Sequence, residues 1–409
     1  MGLGKTFIGS ERLWENDNPY NLVVCQKSKI ADWYKHFREY YADDYNVIIY
    51  HGQSLSQIPE QSVLIINYEL AWRRPQLNQL QHFTLMLDES SKIKNDKSKA
   101  AKFILGLHPD NVILLSGTPT GGKYEELWSQ CRLLGWNIKK TAFLKRYTNQ
   151  VWNPILSFYE IHGYRNVDEL KAQLRLHGAV FKKTEEVLTL PKQNHIELEC
   201  ASTADYKTFE RDHYLIRDGE ELIGDMAITA RLTLRKLAGV WNPNKLARVN
   251  ELLESTNERL IIFYNFNDEL AALKTMCHKA KRPVSLINGS KRDLSAYEKR
   301  VNSVTLVQYQ AGALGLNLQK ANKIVYFTLT DKSELFEQSK KRIHRIGQDK
   351  PCFYYYLLTK NSIEQKILKA LKMRRDYTDA LFEEDFMKGD THGQKNRSTD
   401  QDRGRSSII

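Results

Sequence analysis

Two series of short, β-branched apolar runs, separated by amphipathic helical stretches, set the strongest limit on what this chain can fold into. The first series is NLVVCQ (21–26), NVIIYH (46–51), VLIINY (63–68), TLMLDE (84–89) and NVILLSGT (111–118). The second is RLIIFYNF (259–266), VSLING (284–289), VTLVQY (304–309), KIVYFT (323–328) and FYYYLLT (353–359). A strand that is apolar along its whole length must be covered on both faces, and runs alternating with helices reach that cover as a parallel sheet. The spacing therefore predicts an α/β chain with two such sheets in tandem. Residues 121–190 read as a helical insertion on a first lobe (1–190), 191–253 as a strand and helical lead-in, and 254–385 as a second lobe. From 386 to 409 the apolar periodicity is lost, and a disordered tail is expected.

Lys and Arg number 61 against 49 Asp and Glu, a net charge of +12 over 409 residues. A surplus of that size favours a polyanionic partner such as nucleic acid. Cys25, Cys131, Cys200, Cys277 and Cys352 lie far apart without a CxxC, which excludes zinc ribbons and a disulfide framework and predicts buried free thiols. No stretch approaches the ~18 uncharged apolar residues of a membrane span. These features predict a soluble cytoplasmic protein with no membrane partner.

The residues that carry chemistry cluster at strand ends. Gly2-Leu3-Gly4-Lys5-Thr6 is the second half of a GxxxxGK[ST] phosphate loop running into a helix. Glycines let backbone amides approach phosphate oxygens, Lys5 would meet the β and γ phosphates, and the Thr6 hydroxyl would ligate Mg²⁺. TLMLDESS ends a strand on the adjacent carboxylates Asp88 and Glu89. The first suits a magnesium held through water, and the second suits an attacking water that must be oriented or deprotonated. Ser116 to Pro119 follows another strand, where small hydroxyl residues could sense the γ-phosphate. Residues 310–318, QAGALGLNL, read as a Gly-rich turn after a strand. In 338–348, QSKKRIHRIGQ, Arg342 and Arg345 stand three apart, so on a helix both guanidinium groups would leave one face and reach one phosphate chain.

In this order the motifs resemble those of the Swi/Snf-type ATPases of helicase superfamily two. MGLGKT is similar to motif I, NLVVCQKSKIADWYKHF to Ia, VLIINYE to Ib, LDESSKIKN to II, LLSGTPT to III, LIIFYNF to IV, QAGALGLNLQ to V and QSKKRIHRIGQ to VI. The resemblance covers residues 1–372, and its wording is most like phage or prophage members. It implies two RecA-like lobes clamping ATP and Mg²⁺, with helical protrusions, tracking along double-stranded DNA as a monomer. Carried over by motif, Gly2, Gly4, Lys5, Thr6, Asp88 and Gly315 bind nucleotide, with Thr6 and Asp88 on magnesium. Glu89, Gln338, Arg342 and Arg345 serve catalysis, the arginines as fingers. Lys27, Asn67, Tyr68, Thr118, Asn265, Gly289 and Asn317 stand where family members touch the DNA backbone, whose contacts carry position rather than base identity.

The chain departs from the family pattern at Ser91, where His or Gln is usual, and at Gln308, Tyr309 and Gln310, where a Ser-Thr-basic run is usual. It also starts inside motif I, so the resemblance predicts a chain truncated before the strand and adenine-recognising segment that precede the loop. The expected activity is DNA-dependent ATP hydrolysis driving translocation on duplex DNA. A strand-separating helicase and a truncated, inactive DNA-binding remnant are the alternatives.

Overall fold

The structure, a computed structural model, describes residues 4–117, 120, 123–154, 157–180, 189–312 and 316–373. Gly2, Thr118, Gly315 and the 386–409 tail therefore lie outside the described residues. The chain divides into two compact units. One is Met1–Lys192 with Gly312–Lys320 and Glu337–Pro351; the other is Gln193–Ala311 with Ala321–Phe336 and Cys352–Ile409.

In the first unit, β1 (Tyr20–Cys25), β2 (Asn46–Ile49), β3 (Ser62–Asn67), β4 (Phe83–Asp88) and β5 (Asn111–Leu115) form one parallel sheet in the order β2-β3-β1-β4-β5. Every residue of β3 is buried, as the unbroken apolar run requires. Alternate residues feed opposite layers. Val23, Ile65 and Met86 pack with Leu13, Trp33 and Phe37 on one face, and Leu22, Val24, Leu64, Ile66 and Leu87 pack with Ile93 and Ile104 on the other. Truncating any of these to Ala would cost about 2–5 kcal/mol in transfer and cavity terms.

The insertion is less helical than its sequence suggests. It holds the short helices Trp128–Leu133, Lys140–Tyr147 and Val167–Leu176, but also an antiparallel hairpin, β6 (Thr148–Asn153) and β7 (Phe158–Tyr164), with a bulge at Asn149/Gln150. The reason lies in the residues: Val151, Trp152, Phe158, Tyr159 and Ile161 favour a pleated surface, and Pro154 stops a helix between them.

In the second unit, β8 (Gln193–Cys200) is the strand of the lead-in. A small hairpin, β9 (Tyr214–Arg217) and β10 (Glu220–Ile223), turns on Asp218 (φ 50°) and Gly219 (φ 82°), both left-handed as a two-residue hairpin turn demands. β11 (Leu260–Tyr264), β12 (Val284–Ile287), β13 (Arg292–Asp293), β14 (Val304–Gln308), β15 (Lys323–Tyr326) and β16 (Cys352–Thr359) complete a sheet ordered β13-β12-β14-β11-β15-β16-β8. Only β13 in it is antiparallel. Two parallel sheets with helical insertions are the α/β class expected. All five cysteines are free and buried, also as expected. Among the described residues, no helix is long and apolar enough to cross a membrane.

Candidate active site

The phosphate-loop segment enters its helix (Lys5–Asn16) through Gly4, whose φ of 69° is left-handed; nothing lies within 4 Å of where a Cβ would stand. Any side chain there would strain the backbone. The first turn carries neither an acidic residue nor a side-chain cap, so its amides and the positive end of the helix dipole remain open to an anion. Further along, Gly9 lets this helix lie directly on the sheet. A Cβ there would come within 2.7 Å of Leu115 Cδ1 and 3.0 Å of Met86 Sδ.

Lys5 is half-buried and Thr6 exposed. Burial pushes the Lys5 ammonium below its ordinary pKa; Glu89 and then Asp88 push it back up, while Lys341 and Arg342 oppose them. The lysine thus sits in the field of both the acidic pair and the basic segment, all within the first unit.

The acidic pair ends β4, the neighbour of β1 and β5 in the sheet. Asp88 Oδ2 accepts a hydrogen bond from Trp33 Nε1 at 2.9 Å. Glu89 has φ 57°, an uncommon left-handed conformation for a residue with a Cβ and of the kind that concentrates at functional sites. The turn is held from beneath by Tyr68, whose hydroxyl donates to Asp88 O at 2.9 Å. Burial raises the Tyr68 pKa well above its ordinary value, so it remains a donor. Ser91, at the position usually held by His or Gln, is buried; next to it Ser90 Oγ donates to Gln130 Oε1 at 2.9 Å, tying the turn to the insertion.

The arginine segment differs from expectation. The helix Ser333–Lys340 stops before Arg342, and residues 341–347 run through turns to Gly347 at φ 88°, so Arg342 and Arg345 do not share a helix face. The left-handed Gly347 and the turns that precede it outweigh the 3-residue spacing. Arg342 is buried at 5%, with no hydrogen-bond partner for Nε among the described residues. Its pKa is lowered to about 10, chiefly by burial and then by Arg345, with Glu89 opposing. Arg345 is half-buried and donates to Asn317 Oδ1; Gln348 Nε2 donates to Gln319 O at 3.1 Å, so the two motif segments brace one another. Gln338 is buried, and its Oε1 has no partner among the described residues.

Of the residues expected at DNA, Lys27, Gly289 and Asn317 are exposed. Asn67 and Tyr68 are buried, and both are spent internally: Asn67 Oδ1 accepts from Leu70 N at 2.8 Å to cap a short helix, and Tyr68 supports the acidic turn. Asn265, in the second unit, gives its amide to Thr328 Oγ1 (2.9 Å) and Leu329 O (3.1 Å). Sequence reasoning missed Trp33 and Gln130 as supports; the only sequence signal was an aromatic in an amphipathic helix, which reads equally as core.

Comparison with known proteins gives the following. The SNF2-related domain matches residues 1–237 and the helicase conserved C-terminal domain matches 244–347. The ATP-dependent DNA helicase DDM1 of Arabidopsis thaliana is 26% identical over 440 residues, covering 90% of this chain and 56% of that protein. The ISWI chromatin-remodeling complex ATPase ISW2 of Saccharomyces cerevisiae is 23% identical over 448 residues, covering 92% and 38%. The chain thus spans about half the length, or less, of these relatives. The Sulfolobus solfataricus SWI2/SNF2 ATPase core in complex with dsDNA aligns with a TM-score of 0.42 and 20% identity, over 97% of this chain and 89% of that one.

Proposed function

The chain belongs to the SNF2-related family of helicase-like ATPases, and from that premise we propose that it hydrolyses ATP in a DNA-dependent manner and translocates on duplex DNA. The observation that carries the reading is the shared electrostatic neighbourhood of Lys5, Asp88, Glu89 and Arg342 beside an open helix N-terminus. The open amides and Lys5 would bind the phosphate chain. Thr6 and Asp88 offer hard oxygen donors of the kind Mg²⁺ takes alongside phosphate, and Asp88 Oδ1 carries no hydrogen bond among the described residues. Bound there, Mg²⁺ would neutralise charge on the phosphates. Glu89 would orient and deprotonate water, and Arg342 and Arg345 would stabilise charge as it develops. A buried guanidinium nitrogen and the buried Gln338 oxygen, neither with a partner among the described residues, carry a desolvation penalty that a polar ligand would relieve.

Lys27, Gly289 and Asn317 are the exposed candidates for duplex backbone contact, in keeping with the net charge of +12. Asn67 and Tyr68 act in this reading as supports. The test is ATP turnover with and without duplex DNA over a salt series. Stimulation by any duplex, with binding that falls steeply with salt through counterion release, supports the proposal. Turnover indifferent to duplex would overturn it, and efficient unwinding of a plain fork would replace translocation with strand separation.

A further inference from the structure

Trp33 makes the one hydrogen bond to the Asp88 carboxylate seen among the described residues, and the roles above leave it unused. It lies on the helix Ile30–Tyr40, 3% exposed, and reaches a residue 55 positions away in sequence. Its ring is held against Phe37, stacked at 5.8 Å, and against the edge of His36 at 6.0 Å. One turn along the same face, His36 Nε2 lies 2.9 Å from Ser10 Oγ, and Ser10 Oγ lies 3.0 Å from Thr6 O. Burial lowers the His36 pKa, which favours a neutral ring donating to Ser10 while Ser10 donates to the Thr6 carbonyl. A single helix face thus touches the acidic strand end and the helix that follows the phosphate loop.

The terminal torsion of an aspartate is broad, so an unpinned carboxylate would rotate. We propose that Trp33 is a positioning residue: its indole N–H fixes the Asp88 carboxylate through Oδ2 and leaves Oδ1 for the magnesium's water shell. This rests on the reading of Asp88 as the metal-holding carboxylate. A Trp that merely fills the core would act through its shape, whereas a positioning Trp acts through one proton, and the two are separable.

The test places benzothienylalanine, which has sulfur in place of N–H, at position 33 alone, beside Trp33→Phe and an azatryptophan that keeps the N–H. The primary readout is the Mg²⁺ concentration giving half-maximal binding of a fluorescent ATP analogue; kcat and KM are measured in parallel. The sulfur isostere should fold with an unchanged circular dichroism spectrum and raise the Mg²⁺ half-point about tenfold, the worth of one hydrogen bond to a charged group. It should lower kcat with KM for ATP unchanged at saturating Mg²⁺, and azatryptophan should restore both. A wild-type half-point in the isostere overturns the proposal, and it decides the matter even if Trp33→Phe fails to fold. Asp88→Asn separates the two readings. If it leaves the half-point unmoved, the metal role of Asp88 fails and this inference with it; if it shifts the half-point and the isostere does not, only the role of Trp33 fails.

Discussion

Both sheets end a central strand on a polar turn, yet the two turns set their carboxylates among different partners. After β11 in the second unit, Glu269 is fully buried and accepts from Asn265 N (2.7 Å), Phe266 N (3.2 Å) and Thr328 Oγ1 (3.0 Å). Through Oε2 it caps the helix Asn267–Lys279, while its buried Oε1 has no hydrogen-bond partner among the described residues. After β4 in the first unit, Asp88 has one carboxylate oxygen engaged, Glu89 sits in a left-handed backbone, and a lysine and an arginine lie within electrostatic reach of the pair. Burial of a carboxylate at a strand end is therefore no sign of chemistry by itself. The sign is nearby charge that the fold has not paired: Lys245, in the field of Glu269, is bound to Glu364, whereas Arg342, in the field of Glu89, keeps an Nε with no partner among the described residues.

The contrast breaks first, and most visibly, on turnover. Arg342→Ala should lower kcat by about 10³–10⁵-fold, the usual worth of an arginine finger, while nucleotide affinity falls far less. Glu89→Gln should cost about 10²–10⁴-fold with nucleotide binding intact, as for loss of a general base. Single-turnover hydrolysis and equilibrium binding of the same analogue check both; near-normal turnover in Glu89→Gln would move the chemistry away from β4.

Polar groups of the second unit should instead report on stability. Lys245 is fully buried against Glu364 and lies over the Phe327 ring at 5.4 Å. Lys245→Met strands a buried carboxylate and should cost about 3–5 kcal/mol. Lys245→Met combined with Glu364→Gln should recover much of that, as read by urea denaturation followed by a probe in this unit.

The smallest effect is a pH slope. Burial raises the Glu269 carboxyl above its ordinary value, only partly offset by the bonds from Asn265, Phe266 and Thr328. The folded state then holds this proton more tightly than the unfolded chain does. Its stabilising contribution is complete below the ordinary carboxylate range and is lost as pH rises through the raised folded value. Glu269→Gln should flatten that slope in melting curves between acid and neutral pH; an unchanged slope would assign it to other groups.

What was legible in the sequence followed a simple physical division. Strand runs such as VLIINY and TLMLDE announce themselves, because burial on both faces is written into consecutive residues. The left-handed Gly4 before the first helix and the place of Asp88 and Glu89 at the end of β4 were readable for the same reason, as local geometry. The β9–β10 hairpin was also written locally, as Asp218-Gly219 between Ile216 and Leu222, and was obscured by the helical patterns around it. By contrast, the Trp33 bond to Asp88 and the burial of Asn67 and Tyr68 depend on partners brought together by the sheet. The helix stop before Arg342 had a local hint in Gly347, but the braces that fix the segment, Leu318 N to Arg342 O at 3.1 Å and Gln348 to Gln319, come from elsewhere in the chain.

The pairing of β8 with β16 joins residues 193–200 to 352–359. A ribosome must therefore add about 159 residues, 352 − 193, after the first of these before its partner exists. At ~5–20 residues per second this strand waits roughly ten to thirty seconds as an unpaired ribbon. Its composition suits the wait: Glu197 and Glu199 punctuate it, so the nascent edge is charged and poorly disposed to pair with another chain. The register is then closed by the last strand of the sheet to be made, so the second sheet cannot commit to its native order before residue 359 has been added.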